Sequence, residues 1–168
     1  MRRSLVFLLA MLTAALLQTT VFSQLTLFGV APDLILVSVI CLAMLEGPST
    51  GAVAGFWGGL LRDLLLDSPK GLTGLSYLVV GYAVGTVRPY LQTTSVLVPV
   101  AGIFAGSLVG SALFEVLQAL LGQQQLPFDH QLRVVGLTAI YNTLLTPFVY
   151  PLVKRISGAY KREKVYRW

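Results

Sequence analysis

The sequence predicts an all-α integral membrane protein built as a six-helix transmembrane bundle. Three observations carry this expectation. First, charged residues make up 11% of the 168 residues, whereas a soluble domain carries about 25%. Second, 55% of the residues are hydrophobic and the mean hydropathy is +0.78. Third, six apolar segments can be drawn, at about 4–23, 33–46, 50–66, 71–91, 96–121 and 132–153, followed by a basic tail at 154–168. At this length they form a single transmembrane domain.

The first segment follows Met1-Arg2-Arg3 and resembles a signal peptide, with Val21-Phe22-Ser23 as a weak cleavage site. Its apolar run continues to about Phe22 and more segments follow, so it reads as a retained first helix. The second segment is opened by Pro32-Asp33, two residues favoured at a helix start. Its strongly apolar part, Leu34 to Leu45, would be about 18 Å long, short of a hydrocarbon core of roughly 30 Å. It is therefore a half-span, or it is extended by Leu25–Ala31 as irregular chain at membrane depth. Turn compositions separate the later segments: Glu46-Gly47-Pro48-Ser49, Asp67 to Gly71, Arg88-Pro89, and the Gly-Gln-Gln-Gln-Leu-Pro stretch at 122–127.

The net charge of +5 does not point to nucleic acid, because the basic residues gather at the termini. With six spans, Arg2, Arg3, Arg88, Lys154, Arg155, Lys161, Arg162, Lys164 and Arg167 share one side. Lys70 and Arg133 take the other, and Arg62 lies within a span. The positive-inside rule then places both termini in the cytoplasm. The tail alternates basic and aromatic residues, including Tyr160, Tyr166 and Trp168, and is expected to touch anionic lipid on that leaflet. Cys41 is the only cysteine, which excludes an intrachain disulfide and a thiolate cluster; it reads as a small core or lipid-facing residue. His130 is also alone and reads as a solvated loop residue.

Small residues recur four apart in three segments: Gly51, Gly55 and Gly59; Gly81 and Gly85; Gly102, Gly106 and Gly110. Such ladders let helix backbones approach closely, either within the chain or against a partner's helix. Arg62-Asp63 closes the first ladder, and charge at a helix centre in a membrane costs about 2.5–3.5 kcal/mol per residue. Asp63 continues the glycine face; Arg62 is on the neighbouring one. Glu115 shares a face with Ser107 and Ser111, and Asn142 lies in a polar stripe with Thr138 and Thr146. The expected use of Arg62 is a neutralising pair with Glu115. An ion path, a clamp for a substrate carboxylate and a partner contact are the alternatives. Asp67, on the face of Asp63, is expected at the outer interface. No Ser-His-Asp set, metal-ligand cluster or phosphate-cradling loop is present in the sequence, so no enzyme, cofactor or metal is expected.

The order of these features resembles the rod shape-determining protein MreD family. The matching residues run from Gly29-Val30-Ala31-Pro32-Asp33-Leu34 through Glu46-Gly47-Pro48, Gly51, Gly55-Phe56 and Gly59-Leu60-Leu61-Arg62-Asp63-Leu64 to Ser68-Pro69-Lys70-Gly71. Leu75, Tyr77, Gly81-Tyr82, Gly85, Tyr141-Asn142 and Pro147-Phe148-Val149-Tyr150-Pro151 follow. The resemblance implies a non-enzymatic scaffold of cell elongation in the bacterial inner (cytoplasmic) membrane. Its implied partners are an MreC-like protein and, indirectly, an MreB-like actin, a RodA-like glycosyltransferase and a class B penicillin-binding protein. The family is also similar in fold to the six-helix substrate-binding components of energy-coupling-factor vitamin transporters. That likeness supplies the rival expectation, a vitamin-binding component with a polar pocket from Asp67, Asn142 and Glu115. A third expectation is an ion or lipid-precursor carrier using Arg62, Asp63 and Glu115.

Overall fold

The computed structural model describes residues 11–22, 29–65, 71–90, 97–122 and 127–165. Expectations that fall on Arg2 and Arg3, on Asp67 to Lys70, on the glutamine run and on the end of the tail lie outside these residues. The regular elements among the described residues are helices. Residues 11–22 form α1, whose last part, Gln18–Phe22, is π-helical. The others are α2 (Leu34–Glu46), α3 (Pro48–Leu65), α4 (Leu72–Val87, continued by a 3-10 turn at Arg88–Tyr90), α5 (Leu97–Leu120) and α6 (Phe128–Val165).

The second apolar segment becomes the axis of the bundle. Every residue of α2 from Leu34 to Met44 is buried, because α3, α4, α5 and α6 all pack on it. That explains its composition: a helix enclosed on every side is apolar all round. Asp33 starts it, with a side-chain oxygen accepting the Leu36 N–H at 2.9 Å. Gly47, at φ +100°, ends it and is the whole connection to α3, a reversal that an L side chain would strain. Residues 29–33 before α2 are not helical, and Val30 is buried among them.

The glycine ladders set the neighbours. Gly51, Gly55 and Gly59 of α3 lie against the Gly81, Tyr77 and Thr73 carbonyls of α4, so the two helices run antiparallel with backbones touching. Gly102, Gly106 and Gly110 of α5 receive Met44, Ile40 and Leu36 of α2, one glycine per side chain, again antiparallel. The α2 and α6 helices run parallel: Asn142 meets Asp33 at one end and Ser157 donates to Glu46 at the other. All three relations fit helices that alternate in direction.

Among the described residues, two helical stretches are long and apolar enough to cross a membrane, Leu97–Leu120 and Asp129–Gly158; α2 is a shorter apolar helix. The last helix differs from the sequence expectation at both ends. It begins at Phe128, so His130 is in its first turn rather than a loop, and it continues through the basic residues to Val165. Lysine, arginine and glutamate are good helix formers, and nothing in this stretch stops the helix. Pro147 and Pro151 sit inside it without ending it. The prolines leave the Thr143 and Pro147 carbonyls without their helical donor, while the Thr143 and Thr146 hydroxyls bond the carbonyls of Ala139 and Asn142 one turn back, at 2.7 and 3.3 Å.

Candidate functional site: a buried charge knot

Five helices meet at Asp33. Its N–H donates to the Asn142 side-chain oxygen at 2.8 Å, and one carboxylate oxygen caps α2. The other oxygen accepts the Tyr77 hydroxyl and lies 3.3 Å from Arg62 Nε. Asn142 Nδ2 in turn donates to Ser107 Oγ at 2.9 Å. Thus α2, α3, α4, α5 and α6 each place one polar side chain in a single connected group. The Gln18 side chain of α1 adds an acceptor for the Ile35 N–H at 3.3 Å.

Arg62 does not pair with Glu115; its ion pair among the described residues is with Asp33. The guanidinium lies between two rings, 5.9 Å from the Tyr77 centroid and 5.8 Å from that of Phe114. Such cation–π contacts stabilise a cation where water is scarce. Glu115 is half-buried and lies in electrostatic reach of His130 instead. The reason is directional: Phe114, one residue before Glu115, holds the α5 position that faces Arg62, and Glu115 is turned about 100° from it.

Asp63 has a different task. One of its oxygens accepts the N–H groups of Gly71, Thr73 and Gly74, at 2.9, 3.1 and 3.4 Å. These are the free donors at the start of α4, and no residue of α4 itself caps them. The residue is fully buried. Two carboxylates and one guanidinium leave one negative charge, but each carboxylate also meets a helix N-terminus worth about +0.5 charge. The two helix N-termini thus add positive charge beside each carboxylate, next to the Arg62 guanidinium.

The remaining sequence candidates take structural places. The glycines at 51, 55 and 59 face α4, and those at 102, 106 and 110 face α2, all within the chain. The stripe Thr138, Asn142 and Thr146 is buried against the bundle, and Cys41 is buried in α2. Sequence reasoning treated Asp33 as a cap only and missed Asp33, Tyr77 and Ser107 as partners. One signal could have found Asp33: an acid opening an apolar segment needs a counter-charge, and Arg62 is the cation in an apolar segment.

The depth of the knot follows from α5. Phe114 is six residues from Leu120, about 9 Å along the axis, and the 24-residue α5 exceeds a 30 Å hydrocarbon core by about 6 Å. Charges held in this way, around an apolar axis helix, define a helical membrane protein whose polar groups tie its helices together. The chain belongs to the rod shape-determining protein MreD family, whose model matches residues 1–156. No curated protein and no solved structure matches it. Membership makes it a membrane protein with a role in rod shape determination.

Proposed function

We propose that the chain is a six-span, non-enzymatic scaffold subunit of the bacterial cell-elongation machinery. It lies in the inner membrane with both termini cytoplasmic and supports peptidoglycan synthesis by contacting other membrane proteins. An MreC-like protein is the direct partner. An MreB-like actin, a RodA-like glycosyltransferase and a class B penicillin-binding protein are reached through the assembly.

The observation that carries this reading is how the polar groups at depth are used. Asp33, Arg62, Tyr77, Ser107 and Asn142 are joined to one another, and Asp63 is joined to the start of α4. They hold five helices in register and so present a fixed outer surface. The orientation draws support from charge: Arg88, Lys154 and Arg155 lie at the end of the bundle where α2 meets α3, and Arg133 lies toward the other end. The rival vitamin-binding reading needs Asn142 free to meet a ligand, and both ends of its amide are engaged. The carrier reading needs a mobile Asp63, and that carboxylate caps α4.

Depletion and co-purification test the proposal together. Depleting the protein should turn rod cells round, and the tagged chain should retain the MreC-like protein through purification. Rod growth after complete deletion, or a chain that purifies without that partner from membranes containing it, would overturn the proposal.

A further inference from the structure

The α3 helix has two unlike faces. Gly51, Gly55, Gly58 and Gly59 lie on the side turned to α4, α2 and α1. Val53, Phe56, Trp57, Leu60 and Leu64 lie on the opposite side by helical periodicity. Trp57 is 50% exposed there, and Phe56 meets it edge to face at 5.7 Å.

The depth of Trp57 can be read from the packing. Gly58 faces Ile35 and Val39 of α2, while Leu36 and Ile40 face Gly110 and Gly106 of α5. Trp57 is therefore level with about residue 109 of α5, the middle of Leu97–Leu120. Tryptophan favours the two membrane–water interfaces, where its N–H meets headgroups. At the midplane the acyl chains offer no acceptor, and a sequestered indole N–H ordinarily has one.

We propose that this face of α3 seats a single membrane-spanning helix of another protein, which carries a hydrogen-bond acceptor level with Trp57. A serine or threonine hydroxyl or an amide oxygen has the required chemistry, since polar groups join helices in lipid. A second copy of the chain does not fit. Twofold pairing would set donor against donor, and Val53, Phe56, Leu60 and Leu64 supply no side-chain acceptor. The proposal rests on the scaffold reading above and identifies where that partner docks.

The chain has two tryptophans, so Trp168→Phe leaves Trp57 as its reporter. The full-length variant is placed in bilayers of lipid brominated either at mid-chain or near the headgroup. It is measured alone and as a complex with the MreC-like protein, whose own tryptophans are changed to phenylalanine. Alone, mid-chain bromine should quench Trp57 more than headgroup bromine. In the complex, mid-chain quenching should fall several-fold. Trp57→Phe, which keeps the ring and loses the donor, should weaken partner binding about three- to tenfold, while Leu144→Ala on α6 should not.

A complex that forms with unchanged quenching and unchanged Trp57→Phe affinity overturns this site and leaves the scaffold reading standing. Failure of any complex to form overturns both. Weak quenching of the isolated chain that rises on dilution into lipid assigns the face to a second copy and overturns the proposal. Stronger quenching by headgroup bromine removes its premise of depth.

Discussion

Asn142 illustrates how one residue can hold several helices. Its amide accepts from the first turn of α2 and donates to α5, and it is fully buried. Changing it to alanine orphans the Asp33 N–H, and a buried unsatisfied donor costs about 1–3 kcal/mol. Asn142→Ala should therefore lower thermal stability of the purified protein clearly more than Glu115→Gln, which touches neither group; equal melting temperatures would remove Asn142 from the knot. A polar stripe containing Asn142 was legible in the sequence because helical periodicity is local. Its partner was not, since Asp33 lies 109 positions away and periodicity carries no information at that range. The same limit produced the mistaken pairing of Arg62 with Glu115. The charges were visible, but which of two acids faced Arg62 depended on the order of helices around α2.

At the scale of elements, the two main ladders differ in what they meet. A Cβ added to an α3 glycine would strike backbone carbonyls, which cannot move aside, whereas one added at Gly102 would lie 3.0 Å from the flexible end of Met44. A Cβ added at Gly136 would have open space around it. Alanine should thus be most damaging at Gly55, milder at Gly102, and neutral or stabilising at Gly136 by up to about 1 kcal/mol of helix propensity. Melting temperatures of the three variants check the order, and a harmless Gly55→Ala would contradict direct contact of α3 with α4. The ladders themselves could be read from their four-residue spacing. Their targets could not, because a glycine face fits a neighbouring helix or a foreign one equally well. The basic tail was legible as a charged stretch but not as helix, since the apolar pattern that marks the sixth segment ends at Val153.

For the molecule as a whole, alternating helix directions and the distribution of basic residues predict a cytoplasmic C-terminus. A cysteine placed at Ser157 is unsuitable because that residue is buried against α2, but Gly158→Cys is exposed. In a Cys41→Ser background it should resist a membrane-impermeant thiol reagent in intact spheroplasts and react after lysis; labelling of intact spheroplasts would invert the topology. The charge knot is expected to hold the protein's shape and to do no chemistry. If so, Arg62→Ala should fail in the cell only as far as it fails to fold. It should also destabilise more than Leu61→Ala, and Asp33→Asn should recover part of the loss by removing the unpaired carboxylate, a coupling of about 0.5–3 kcal/mol. The most direct measurement compares, for Arg62→Ala and for Arg62→Ala with Asp33→Asn, the amount of folded protein in the membrane with the fraction of rod-shaped cells. The account predicts that the two quantities fall and recover together. An Arg62→Ala protein present at wild-type level and stability in cells that nonetheless lose rod shape would contradict it.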